Sequence, residues 1–324
     1  MRSLRSFLLI AGTLASSSQL LALCKTYPFP NGELGLEGLY VQRRGIRKEN
    51  LIKPQCPCRS PLTTANTVHD QNGEPGVRGF LRYMPSKKRT VEGSLTWVNK
   101  FQSFVHRYSP TSSYSYPFPS GYAQDFTNAQ VVKARYTSQF WEGEANYWGH
   151  FTPRNVDYFS VSGVIGLRGM YIGEHFHLYY TKLVNTSSYR SSSLNRLVGV
   201  QIGGNIQWNP TCHWTWEFQA KTGILADFAR QRLRLTDVNN TVLLKSFHPH
   251  KTFASYFLEG NMNLYYRFRP TISIDAGYRL LGLWNVALAP MQLTAQTHPD
   301  SGNTVDDSGK YYLHIVSLGL NFDF

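Results

Sequence analysis

The sequence predicts an all-β chain closed into an antiparallel transmembrane up-and-down β-barrel, and three observations carry that prediction. Apolar and polar side chains alternate over long runs from Thr137 onward. The composition is rich in aromatics and poor in charge. The final alternating segment ends on the last residue, Phe324.

Composition narrows the class first. Of 324 residues 42% are hydrophobic, 14% aromatic and only 16% charged, with 20 Tyr, 19 Phe and 7 Trp. So much ring surface excludes a disordered chain, and a mean hydropathy of -0.33 leaves no room for a bundle of apolar membrane helices. A strand that shows one face to lipid and the other to water reconciles the two figures.

The elements follow in order, eight in all. A first strand is placed over residues 137–150. Residues 158–171 set Phe159, Val161, Ile165, Leu167 and Tyr171 against Ser160, Ser162 and Arg168, and 174–184 form a shorter third strand. In 195–208, Val198, Val200, Ile202, Ile206 and Trp208 oppose Gln201, Asn205 and Gln207. In 214–228, Trp216, Phe218, Ile224 and Phe228 oppose Glu217, Gln219 and Lys221. Residues 252–268 and 271–284 repeat the pattern, with Tyr256, Leu258 and Met262 against Glu259 and Asn263, then Ile274, Tyr278 and Leu280 against Asp275 and Arg279. The last strand, 311–324, carries Tyr312, Val316, Leu318, Leu320, Phe322 and Phe324 on one face, which resembles the C-terminal signal read by barrel-assembly machinery.

A soluble sandwich alternates as well, but its strands average about 5 to 6 residues; runs of about 12 to 16 suit a tilted membrane crossing. Aromatics near the ends of the apolar faces, such as Tyr158, Tyr171, Trp208 and Trp214, fit an interfacial girdle. Long connections at 185–194, 229–251 and 285–310 alternate with short ones at 172–173, 209–213 and 269–270, and 152–157 falls in an external slot. Eight strands is the consistent count; weaker alternation in 94–104 and 77–84 would raise it to ten.

The N-terminal residues read differently. Arg2 and Arg5 before an apolar run fit a signal peptide over residues 1–22. Residues 23–136 form a basic, loosely structured segment placed in the periplasm by strand parity: 16 Lys and Arg stand against seven Asp and Glu between Lys25 and Arg135, but 15 against 13 from Thr137. Cys24 is a candidate for lipidation, although Leu23 is large where a small residue is expected. Cys56, Cys58 and Cys212 are then odd in number, which favours free or partner-linked thiols, and no histidine at ligand spacing makes a zinc site.

An eight-stranded barrel leaves an interior just wide enough for side chains. Its inward charges are Glu142, Glu144, Arg168, Lys182, Glu217, Lys221, Glu259, Arg267, Asp275 and Arg279, five of each sign. Such charges should pair and plug the lumen. The competing reading, a gate or a charge-lined solute path, comes into reach only with ten or more strands. His248, His250, Asp306 and Asp307 in external loops raise surface hydrolysis only weakly, and His314, His175 and His177 suit interfacial positions. Arg230, Arg232 and Arg234 suit lipopolysaccharide phosphate. The reading is a non-enzymatic outer-membrane protein needing no metal or cofactor. Its partners are outer-membrane lipid, lipopolysaccharide and the assembly machinery, with acidic envelope polymers or disulfide-linked envelope proteins as further candidates and nucleic acid excluded. A small or gated porin is the alternative.

Residues 137–324 also carry a resemblance. Gly199-Val200-Gln201-Ile202-Gly203-Gly204, Trp216-Glu217-Phe218-Gln219-Ala220-Lys221, Tyr265-Tyr266-Arg267-Phe268-Arg269-Pro270 and Ala276-Gly277-Tyr278, followed by Val286-Ala287-Leu288-Ala289-Pro290 and Gln292, resemble the seventh β-barrel porin family of bacterial outer membranes. That resemblance implies an outer-membrane barrel and no particular substrate.

Overall fold

The computed structural model describes residues 31–44, 50–54, 62–63, 73–109, 114–115, 126–152, 158–183, 185–236, 243–292 and 304–324. In chain order the strands are β1 (Gly32–Arg44), β2 (Asn50–Pro54), β3 (Leu62–Thr63), β4 (Glu74–Ser86), β5 (Arg89–Tyr108), β6 (Tyr114–Ser115), β7 (Val131–His150), β8 (Phe159–Lys182), β9 (Asn185–Trp208), β10 (Trp214–Thr236), β11 (Leu243–Phe247), β12 (His250–Arg269), β13 (Ile272–Val286) and β14 (Gly309–Asp323). Ten of them close one antiparallel wall in the order β1, β4, β5, β7, β8, β9, β10, β12, β13, β14, with β14 paired back to β1. Strand β11 extends the upper part of β10, and β3, β2 and β6 form a small separate sheet.

Closure is made where the wall begins and ends. The amides of Asn31 and Gly32 donate to the Phe324 carbonyl, and the Phe324 amide donates to that of Gly32. Both ends of the wall therefore lie at one end of the barrel, here the near end. The wall strands alternate, with a bulge on β5 between Val98 and Phe101, and their outward face carries exposed large apolar residues through the near half: Leu36 at 61% exposure, Leu95 at 71%, Ile165 at 61%, Val198 at 60% and Leu318 at 68%. A continuous apolar band around a closed wall with its backbone bonds satisfied is a lipid-facing surface. Trp97, Trp141 and Tyr171 mark its upper edge as directly paired neighbours, the last two stacked at 5.3 Å.

The count of eight is corrected to ten. Three strands, β1, β4 and β5, come from the basic first third, so the wall begins at Gly32 rather than at Thr137. The segments expected at 158–171 and 174–184 are one 24-residue strand, β8, running straight through Ile172 and Gly173. The loop expected at 185–194 is the first half of β9, paired on both sides. Above the lipid band the outward face meets water, so its polar and serine-rich residues mimic a loop in composition while the backbone pairs as before. Residues 151–152 consequently lie at the near end, not in an external slot, and His175 and His177 stand above the band, far from the end expected for them. At the far end of β8, Leu183 adopts φ 55.

Cys212, in the near-end turn between β9 and β10, is disulfide-bonded, against the expectation of a free or partner-linked thiol. The signal segment, Cys24, Cys56 and Cys58 lie outside the described residues.

Candidate functional site

Inward side chains fill the barrel in successive layers. At the near end Arg82 donates from Nε to Glu92 at 2.6 Å and from Nη1 to Glu33 at 3.1 Å, while Gln207 and Asn205 donate to Glu217 at 2.7 and 3.3 Å. His150 bridges Thr90 (2.8 Å) and Ser162 (2.5 Å). At mid-height Arg168 Nη2 reaches Glu144 at 2.5 Å and Glu259 at 2.6 Å, Lys221 Nζ reaches Glu144 at 2.7 Å, and Arg279 pairs with Glu142. Gln201 and Asn146 complete the shell of Glu144, each at 3.0 Å, and Arg78 pairs with Glu37 at 3.3 Å. Carboxylate oxygens of Glu142, Glu144 and Glu259 lie within 4.8 Å of one another, but three cationic side chains already neutralise them. Charges this deeply buried persist because they meet counter-charges or, at Glu217, side-chain amide donors.

Above this network lies an apolar layer containing Val98, Phe140, Leu197, Leu225, Phe257, Leu281 and Leu313. Higher again, Arg43 is sandwiched between Tyr136 and Tyr311, 4.9 and 4.5 Å from their ring centroids, and pairs with Glu174 at 2.7 Å. Glu174 also accepts from the Tyr136 hydroxyl (2.7 Å) and the Ala289 amide (2.9 Å). Burial nevertheless pushes its carboxyl above the ordinary range. Ala289 belongs to a segment that leaves β13 and turns into the mouth: Val286, Ala287, Leu288, Ala289, Met291 and Gln292 are fully buried around a short 3-10 turn, Ala289–Met291. Asn195 holds it with two bonds to Ala287, 2.8 and 3.0 Å. Two cavities that touch the lower lumen measure about 40 and 10 Å³, room for a water or two.

Of the ten residues expected to point inward, Glu142, Glu144, Arg168, Glu217, Lys221, Glu259, Asp275 and Arg279 are buried in the lumen. Lys182 is exposed at the far tip of β8, and Arg267 is half-buried at the near rim against Asp323 (3.3 Å). Glu33, Glu37, Arg78, Arg82 and Glu92 belong to the network but escaped the sequence reading. The same period-two signal, Leu34 and Leu36 against Glu33 and Glu37, or Val77 and Leu81 against Arg78 and Arg82, would have found them. Tyr312, Val316, Leu318, Leu320, Phe322 and Phe324 all lie outward on or just past β14. His314 faces outward and bonds Tyr278 at 2.6 Å. Asp307 pairs with Lys251 at 2.8 Å, the Asp306 carboxylate accepts from the Ser308 amide at 2.9 Å, and the Asp306 amide donates to Gln292 Oε1 at 2.9 Å; no His–Asp pair forms among the described residues.

Arg230, Arg232 and Arg234 stand on the outward face of β10 just above the apolar band. Beside them lie His175 and His177 on β8. Burial and then the Lys100 charge lower the pKa of His175; burial, Arg190, His175 and Arg135 lower that of His177 to about 4.

No family model and no curated protein matches the chain. Among solved structures it is similar to the outer membrane protease OmpT of Escherichia coli, at 10% identity over 93% of this chain and 99% of that one with TM-score 0.48. It is also similar to Neisserial surface protein A, at 8% identity over 91% and 97% with TM-score 0.29. A third likeness is to the attachment invasion locus protein of Yersinia pestis, at 11% over 91% and 99% with TM-score 0.26. None of these likenesses carries a residue role to this chain.

Proposed function

We propose that the protein is an integral bacterial outer-membrane barrel with a sealed lumen, acting in envelope structure or surface interaction rather than in solute passage or catalysis. The observation that supports it best is the double seal, a paired charge network beneath an inward-folded β13–β14 segment. A signal peptide over residues 1–22, near-end exposure to the periplasm and assembly through the C-terminal apolar register belong to the same reading.

In planar bilayers the purified protein should give no lasting conductance steps; reproducible long openings would overturn the sealed reading. One observation favours a gated porin as the second reading. The stopper is a loop segment held at Asn195 and Glu174, so it could lift. Asn195→Ala should then produce openings in a gated barrel and leave a sealed one silent.

A further inference from the structure

The outer wall just above the lipid band carries a second, unabsorbed feature. Sheet register brings basic side chains from four strands into one cross-strand row: Arg135 on β7 opposes His177 on β8, His177 opposes Arg190 on β9, and Arg190 opposes Arg234 on β10. All four side chains face outward. Arg190 and Arg234 are like charges directly opposite each other on the sheet, and Arg135 stands one strand beyond His177, so the row is destabilising unless an anion lies across it. No carboxylate shares this outward face on β7 to β10 above Tyr171, and none of these arginines pairs with a described acid.

One step below, a groove of about 630 Å³ crosses β8, β9, β10 and the start of β12. Small residues, Gly173 and Ser192, form part of its floor, and Arg230, Arg232 and His250 stand along it, with Arg230 opposite His250 in the register. Its lower edge is the girdle itself, Tyr171 and Phe228. The site thus joins an apolar wall for acyl chains to cations that climb β10 from residue 230 to 234, about 13 Å along the strand. A simple glycerophosphate headgroup is thinner than the whole basic strip, which with the upper row suits a phosphorylated saccharide.

We propose that this collar binds the phosphate groups of an acylated, phosphorylated glycolipid in the surrounding leaflet, with Arg230, Arg232 and Arg234 as principal ligands and Arg190 and Arg135 completing the row. Arginine suits the role because its planar fork binds phosphate oxygens in pairs. The proposal rests on the barrel spanning a membrane and is independent of whether its lumen conducts. Burial first, and then the neighbouring cations, lower the pKa of His177 to about 4; a bound anion would offset the cationic part and raise it.

The test is native mass spectrometry of the full-length protein in detergent, titrated with bis-phosphorylated lipid A, its dephosphorylated counterpart, phosphatidylglycerol and inorganic phosphate. Lipid A should bind most tightly, and an Arg230→Gln/Arg232→Gln/Arg234→Gln variant should lose about tenfold or more in affinity. Lys310→Gln, an exposed cation on the opposite wall, should change nothing. Histidine NMR should show the His177 pKa rising with lipid A in the wild type but not in the triple variant. A heat-modifiable gel band confirms that each variant is folded. Equal binding of the dephosphorylated lipid, or undiminished binding by the triple variant, would overturn the proposal. Inorganic phosphate binding as tightly as lipid A would replace it with a free-anion site, and binding of a soluble acidic polysaccharide in preference to lipid A would replace it with a polymer site.

Discussion

Glu144 shows how a residue acquires its role from what surrounds it. One carboxylate receives Arg168, Lys221, Gln201 and Asn146, each from a different position on the wall, and the carboxylate beside it, Glu259, shares Arg168. Removing one partner from such a cluster leaves a buried charge with nothing to meet it, which costs about 3–5 kcal/mol, whereas replacing a whole pair by apolar groups costs far less. Glu144→Gln should therefore destabilise the barrel by about that amount, seen as a lower urea midpoint for the folded, heat-modifiable form. A midpoint unchanged from the wild type would show that the network is solvated and does not seal the lumen.

At the scale of the element, the β9–β10 hairpin makes the sharpest demand on sequence. A Cβ on Gly203 would lie 2.2 Å from the Ala220 carbonyl oxygen and 2.9 Å from the Lys221 Cα, and one on Gly199 would lie 2.1 Å from the Ile224 oxygen. These are backbone atoms of the neighbouring strand, which cannot swing aside as a side chain can. Inward glycines let the wall bend tightly here. Gly203→Ala should force the two strands apart and cost about 1–3 kcal/mol, measured by the same unfolding midpoint. Gly260→Ala, where a Cβ would meet nothing within 4 Å, is the matched control.

Over the whole molecule, two surfaces set the behaviour. The lower outside is a closed apolar band, and the inside is a stack of charge network, apolar layer and folded-in segment. A band of that extent cannot face water without association. The mature chain should stay monodisperse only in detergent or lipid and aggregate on detergent removal, checked by size-exclusion chromatography; a monodisperse species in plain buffer would refute the membrane reading. The upper outside is different again, since the wall continues past the girdle with a polar outer face and a basic collar.

The sequence by itself determined the all-β alternation, the lipid-facing class, the C-terminal strand and eight of the inward charges, because a strand's two faces are written two residues apart and a membrane forces them to differ. It misread β8 and the first half of β9 where the strands rise above the lipid, since water on the outer face erases the apolar half of the signal, as Gly173, His175 and the Ser191–Ser193 run show. Only the closed structure decided the count of ten, the pairing of Arg78 with Glu37 and of Arg82 with Glu33 and Glu92, the burial of Ala287–Met291 and the row from Arg135 to Arg234. Each of these depends on which strands meet and in what register, and pairing between residues far apart in the chain is set by closure of the sheet rather than by any local pattern.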